Sequence, residues 1–347
     1  MQALSQLSYT PTDCFALRSC ETETRILWAI FGVVNPLVHF FANFFWRSVP
    51  GREKALWPIR YNAFFGASSR LWGDETGMGV DHYENFPVAS VLLPRHLHRP
   101  VVAIYRFARA ADDFADEGEV PDAVRLANLD GFRRELDLLE AGQSSREPLF
   151  IELAEHVRAY HLPIQLFRDL LDAFSQDVVK KRYADFPTLL DYCRRSADPV
   201  GRLLLHLFGF TDEARLKMSD AICSSLQLIN FWQDVAIDWQ KARVYLPQAT
   251  LAHFGCSEAM LAKGEATPQF IAALRSEVAR ARAMMDAGAP LGSQLPGRIG
   301  LEIRLIVEGG RRILDKIDRQ PDVFNHRPVL LARDWPGMFW RALWKQA

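Results

Sequence analysis

Residues 219–240, "SDAICSSLQLINFWQDVAIDWQ", constrain the fold more than any other stretch of the chain. Apolar side chains recur there at spacings of three and four, which predicts a helix. Ile222, Leu226, Leu228, Ile229, Phe231, Trp232, Val235 and Ile237 leave hardly a face without one, and a helix apolar nearly all round has to be buried. Yet Gln227, Asn230, Asp234 and Asp238 follow one another at spacings of three, four and four, as a single polar stripe. Carboxylates in such a place must be paired or bind a cation. The stripe predicts a central helix with one side turned to a polar cavity.

A second acidic stretch lies upstream. Residues 105–119, "YRFARAADDFADEGE", gather Asp112, Asp113, Asp116, Glu117 and Glu119 over an apolar rhythm of Phe107, Ala108, Ala111, Phe114 and Ala115. On a helix, Tyr105, Arg109, Asp112 and Asp116 fall in one line, with Asp113 and Glu117 beside it. Like charges so close on one face repel, so a positive group has to offset them. An acidic helix alone is most often a solvated face. Two D-x-x-x-D stripes, one of them on a buried helix, are better explained as walls of one cavity. Carboxylate oxygens suit Mg²⁺, which keeps several waters and takes one or two protein carboxylates plus phosphate oxygens of a substrate. The stripes therefore predict magnesium held by Asp112, Asp113, Asp116, Asp234 and Asp238, with a diphosphate between them. Arg109, on the first stripe, and Arg243, just past the second, would complete the charge match.

The three-and-four spacing continues over residues 99–117, 123–141, 148–160, 163–180, 187–208, 213–240, 268–287 and 298–319. Pro121, Gly142, Pro163, Gly209, Pro247, Gly255 and Pro296 punctuate it. No alternating-strand pattern, internal repeat or P-loop interrupts the series. The prediction is all-α: a single domain of eight or more helices. With 347 residues, 49% of them apolar, the chain can bury such a core. A net charge of -1 gives no reason to expect a nucleic-acid partner.

"YRFARAADDFADE", "DYCRRSADPVG" and "LQLINFWQDVAIDWQKARVYLP" together resemble the squalene/phytoene synthase family, the head-to-head isoprenyl diphosphate synthases, over about residues 80–320. The resemblance implies an isoprenoid-synthase-type helical domain around a central apolar pocket, with Mg²⁺ and an isoprenoid diphosphate at its mouth. It implies that Tyr192 sits near the reacting carbons, and that Arg109 and Arg243 act on the departing diphosphate. It implies that Gln227 and Asn230 meet metal-bound water or diphosphate, and that Tyr105, Asp177 and Tyr245 contact substrate. His82, Asn85 and Phe86, in "HYENFPVAS", resemble the family's N-terminal substrate-contact segment.

Within the family, "HYENFPVAS" and "NFWQDVAIDW" are most like the hydroxysqualene-forming branch of bacterial hopanoid biosynthesis, which implies presqualene diphosphate and water as reactants. Enzymes that make squalene or phytoene directly commonly have arginine and glutamate where this chain has Gln233 and Ile237. They also tend to have alanine then glycine where Ala197 is followed here by Asp198 and Pro199. These departures, all close to the motifs that face the reacting carbons, favour water over hydride, and no nicotinamide cofactor is expected. Two other readings stay open. One is condensation of farnesyl diphosphate to presqualene diphosphate or squalene. The other is a non-catalytic helical protein whose acidic cleft binds metal or a partner, against which the arginines near both motifs argue.

The two ends of the chain differ from its middle. Residues 26–46 carry no charge and are long enough to cross a bilayer, although Asn35, Pro36, His39 and Asn43 weaken that reading. Met78 is a natural first residue for the helical domain. The expectation is an appendage over 1–77, non-native or membrane-associated, a synthase domain over 78–320 and a tail over 321–347. The tail's "MFWRALW" could lie on a membrane surface. The five cysteines, an odd number without a C-x-x-C pair, read as free thiols of a reducing cytosol. The protein is thus expected in the cytoplasm, peripheral on the inner face of the cell membrane, beside other squalene-pathway enzymes.

Overall fold

The computed structural model describes residues 93–116 and 120–344. His82, Asn85, Phe86, the stretch 26–46 and the boundary at Met78 lie outside the described residues. The helices are α1 (His98–Asp116), α2 (Asp122–Glu140), α3 (Pro148–Tyr160), α4 (Ile164–Val179), α5 (Phe186–Ser196), α6 (Asp198–Leu207) and α7 (Glu213–Gln233). They continue as α8 (Val235–Gln240), α9 (Gln248–His253), α10 (Glu258–Ala262), α11 (Pro268–Gly288), α12 (Leu291–Gln294), α13 (Gly297–Arg319) and α14 (Trp335–Trp344). Among the described residues there is no strand; an isolated parallel bridge joins Arg182 to Val244. The fold is all-α, as the periodicity predicts.

Helix bounds follow the apolar spacing closely wherever a helix is long and amphipathic. Two runs expected to be continuous are broken. Residues 187–208 divide at Ala197 (φ −118°, ψ −48°). Pro199 has no N–H to give to the turn before it and crowds the residue it follows. Residues 213–240 divide at Asp234 (φ −106°, ψ 16°). The short helices α9, α10 and α12 contain too few residues for a periodicity to show.

α7 is the hub, packed along α11, α6 and α13. Leu228, Ile229 and Trp232 on it are buried. Gly288 lets α11 come against it, because a Cβ there would stand 2.6 Å from the Met218 carbonyl oxygen and from the Ile222 side chain. On the other side α1 packs on α3 and α4. Phe107 meets Phe150 and Phe167 edge-on, with ring centroids 5.9 and 5.1 Å apart. Truncating so buried a ring to alanine costs about 3–5 kcal/mol, so α1 is firmly seated. Cys193, Cys223 and Cys256 are buried free thiols.

From α13 the chain returns along the domain as an irregular strap, then forms α14. Buried Asp334 anchors the turn between them. It pairs with Arg312 at 2.7 Å and with Lys316, and accepts the Leu331 N–H at 2.8 Å. Trp335, Met338 and Ala342 then pack on Leu305. Residues 321–344 are therefore fastened to the domain. Among the described residues no helix is long and apolar enough to cross a membrane.

Candidate active site

α1, α4, α5, α7 and α8 converge on a cleft that opens to solvent. Asp112 and Asp116 enter it from α1, Asp177 from α4 and Tyr192 from α5; Gln227 and Asn230 come from α7, followed by Asp234 and Asp238. The turn after α8 closes one side. Ala242 takes a left-handed conformation (φ 57°) and reverses the chain. The Arg243 N–H then donates to the Asp238 carbonyl at 2.8 Å, and the Val244 N–H to the Lys181 carbonyl at 3.0 Å. Arg243 and Tyr245 are thereby set between the end of α4 and the two acidic motifs.

Positive charge reaches both motifs from elsewhere in the chain. Arg243 crosses to Asp116 with two guanidinium nitrogens, at 2.5 and 3.3 Å, and Lys241 stands 3.6 Å from the same carboxylate. Burial pushes the Asp116 carboxyl up. The hydrogen bond and charge of Arg243, helped by Lys241 and Lys181, outweigh it and bring the group below its ordinary value. Arg327, from the strap after α13, grips Asp234 through Nε at 2.5 Å and a terminal nitrogen at 3.1 Å. Asp238 is pushed well above the carboxylate range, first by burial and then by the charge of Asp234.

Asp177 lies between the motifs. Its carboxylate accepts the Tyr192 hydroxyl at 2.7 Å. Burial raises it to about 6, against the pull of Arg243 and of that hydrogen bond. Aromatic rings line the cleft beside it. Phe231 stacks on Tyr245 with centroids 3.7 Å apart and planes 5° from parallel, and Tyr192 lies 6.2 Å from Tyr245.

The donor chemistry fits magnesium. Asp177 Oδ1, Ser196 Oγ and Gln227 Oε1 are buried in the lining without a hydrogen-bond partner. Buried polar atoms call for partners, and a ligand or metal-bound water in the cleft would supply them. Among the described residues no three His, Cys, Asp or Glu side chains form a closed cage. Magnesium takes one or two protein carboxylates with substrate oxygens completing its shell, and the lining offers Asp112, Asp116, Asp234 and Asp238.

The cleft thus unites Asp112, Asp116, Asp177, Tyr192, Gln227, Asn230, Asp234, Asp238, Arg243 and Tyr245. Tyr105, Arg109 and Asp113 are not in its lining. Tyr105 is buried in the core. Arg109 lies along α1, 3.2 Å from Asp113 and 3.9 Å from Asp112, and so answers the carboxylates of its own helix. Phe174, Ser196, Phe231 and Lys241 line the cleft although sequence reasoning did not select them. Two carried a signal: Phe174 is three residues before Asp177 and Ser196 four after Tyr192, on the same helical faces. Arg327 carried none, because nothing local ties it to Asp234.

The positions that depart from the direct squalene and phytoene synthases face elsewhere. Gln233 donates Nε2 to the Pro328 carbonyl at 2.5 Å. Asp198 is buried and accepts the Ser224 hydroxyl at 2.7 Å. Neither these nor Pro199 and Ile237 line the cleft. They adjoin the motifs without lining the cleft, so a preference for water over hydride does not follow from them by contact.

The sequence pattern of the squalene/phytoene synthase family matches residues 80–334. Over 237 residues the chain is 35% identical to hydroxysqualene synthase of Sinorhizobium fredii, covering 67% of this chain and 79% of that one. It is also 35% identical over 234 residues to hydroxysqualene synthase of Rhodopseudomonas palustris, covering 67% and 78%. Among solved structures it is similar to squalene synthase HpnC of Alicyclobacillus acidocaldarius. Identity there is 39% and the TM-score 0.65, over 69% of this chain and 89% of that one.

Proposed function

The chain belongs to the squalene/phytoene synthase family, and from that premise we infer that it is a hydroxysqualene synthase, converting presqualene diphosphate and water to hydroxysqualene and diphosphate. One observation carries the reading: acidic pairs on two walls, Asp112 with Asp116 and Asp234 with Asp238, share a cleft with Tyr192, Phe231 and Tyr245. That combination suits the release of diphosphate next to a carbocation. The hydroxysqualene synthases among its relatives support the choice of product.

Magnesium held by the four aspartates would supply Lewis-acid assistance to the leaving diphosphate. Arg243 and Lys241 add fixed positive charge where negative charge develops on the diphosphate oxygens. The C–O bond breaks with its electron pair leaving on diphosphate. The cyclopropylcarbinyl cation opens and rearranges beside the faces of Phe231, Tyr192 and Tyr245, which attract a cation through their ring electrons. Asp177 holds the Tyr192 hydroxyl and fixes that ring. Water forms the final C–O bond and one proton is lost. The amides of Gln227 and Asn230 can orient diphosphate or water at the same place.

The test is product analysis. Purified protein with presqualene diphosphate and Mg²⁺ in ¹⁸O-labelled water should yield an alcohol carrying one labelled oxygen, with NADPH changing neither rate nor product. Squalene formed only with NADPH would overturn the reading. Turnover of farnesyl diphosphate with inertness toward presqualene diphosphate would assign the condensing step instead.

A further inference from the structure

α14 has two apolar faces and the domain covers one of them. Trp335, Met338 and Ala342 sit against Leu305 and Leu301 of α13. Pro336, Gly337, Trp340, Leu343 and Trp344 form a stripe along the opposite side, all of them exposed. Trp340 is 64% exposed, Leu343 58% and Trp344 70%, and the two indole rings lie 5.2 Å apart. Leu331, in the adjoining strap, is exposed as well. The other exposed large apolar side chains among the described residues, Val120, Val124, Ile151 and Val179, are scattered over other parts of the domain. Single exposed apolar residues need no explanation, whereas a contiguous patch marks an interaction surface.

The exposed charge named around this stripe is basic, the carboxylates there being buried. From Asn325 to the end of the chain the acidic residue is Asp334, which is buried against Arg312 and Lys316. The basic residues over the same span are Arg327, Arg333, Arg341 and Lys345; Arg327 pairs with Asp234 and Arg341 with buried Glu308 of α13, which leaves Arg333 as the exposed arginine of the span. Arg333 is exposed immediately before α14. Arg304 donates to the Ala342 carbonyl at 2.7 Å, which brings the first turns of α13 beside the end of α14. In those turns Arg298 is exposed and Glu302 buried.

We propose that α14 is a membrane-docking helix, lying along the surface of a bilayer that contains anionic lipid, with Trp340, Leu343 and Trp344 at headgroup depth. Indole rings suit that boundary because one edge is polar and the body apolar. Exposed arginines flanking an apolar stripe match the negative potential of anionic lipid. Three large side chains on a ten-residue helix fall well short of the roughly 20 residues a side that a stable protein interface uses. A bilayer requires no such matching surface. The strap also carries Arg327 onto Asp234, so residues 328–334 join the docked face to the cleft. The inference stands on the surface alone and is independent of which reaction the cleft performs.

Vesicle co-sedimentation tests it with the full chain, using phosphatidylcholine vesicles with and without phosphatidylglycerol. The chain should sediment with the phosphatidylglycerol vesicles and be released by salt. A variant with Trp340→Ser, Leu343→Ser and Trp344→Ser should bind roughly tenfold or more weakly, with unchanged circular dichroism. Arg333→Glu, a milder exposed change, should weaken binding to anionic vesicles while leaving the fold intact. Failure of the unaltered chain to bind overturns the proposal. So does undiminished binding of the triple variant, which would move attachment to another part such as residues 26–46. Loss of self-association in the triple variant, without loss of vesicle binding, would assign the face to a second copy and overturn it equally.

Discussion

The two acidic motifs share a spacing and differ in almost everything else. Asp112 and Asp116 stand on an unbroken helix with side chains 20% and 21% exposed. Asp234 and Asp238 are buried, and the helix breaks at the first of them. Cations that come after the second motif within a few residues, Lys241 and Arg243, answer Asp116. A cation from the far end of the chain, Arg327, answers Asp234. The consequence is opposite in sign. Asp116 falls below its ordinary range because two nearby cations overcome burial, whereas Asp238 rises well above it because burial dominates. One D-x-x-x-D pattern is therefore not one electrostatic object. Cations favour the ionised form of Asp116, while in the covered pair an arginine grips Asp234 and burial drives Asp238 toward neutrality. A divalent cation held in the cleft would oppose that second tendency.

The largest effect should come from removing a carboxylate on either wall. Asp112→Ala, Asp116→Ala and Asp234→Ala should each lower turnover about 100-fold or more with helical circular dichroism intact. Near-normal turnover in any two of them would break the picture of two walls serving one site. Loss of fold in place of activity would make the motifs structural.

Next in size is the contrast between the two arginines. Arg327→Gln leaves buried Asp234 without its bidentate partner and should cost about 3 kcal/mol in denaturant unfolding, the lower end for a buried pair because Arg327 is one-fifth exposed. Arg243→Gln should cost less, since Asp116 is more open to water and keeps Lys241 at 3.6 Å. Equal losses would erase the distinction drawn between the motifs.

The smallest effect concerns Asp177, which borders both. Its folded pKa of about 6 lies above the ordinary 3.8. Between those values the folded chain binds the proton more tightly than the unfolded chain. Stability should therefore fall as pH rises from about 4 to 6 and level off above. Asp177→Asn should remove that slope, roughly 1–2 kcal/mol because the residue, though its Oδ1 is buried, keeps some access to the open cleft. Unfolding measurements at the two ends of the window check it, and an unaltered slope would show that Tyr192 and Arg243 already hold the carboxylate ionised.

The sequence by itself determined the long helices and the carboxylates of both walls, because helical spacing is a local property. The pattern of 219–240 was enough to place Gln227, Asn230, Asp234 and Asp238 on one face of a buried helix, and R-V-Y-L-P was enough to bring Arg243 close behind them. Tertiary structure alone decided which cation meets which carboxylate. Arg243 pairs with Asp116, 127 residues away, and Arg327 with Asp234, 93 residues away. It also turned Gln233 to the Pro328 carbonyl and Asp198 to Ser224, and it laid residues 321–344 on α13. Periodicity tells a side chain which face of its own helix it occupies. What covers that face, and so whether its charge is kept or lost, depends on segments brought together only when the chain packs.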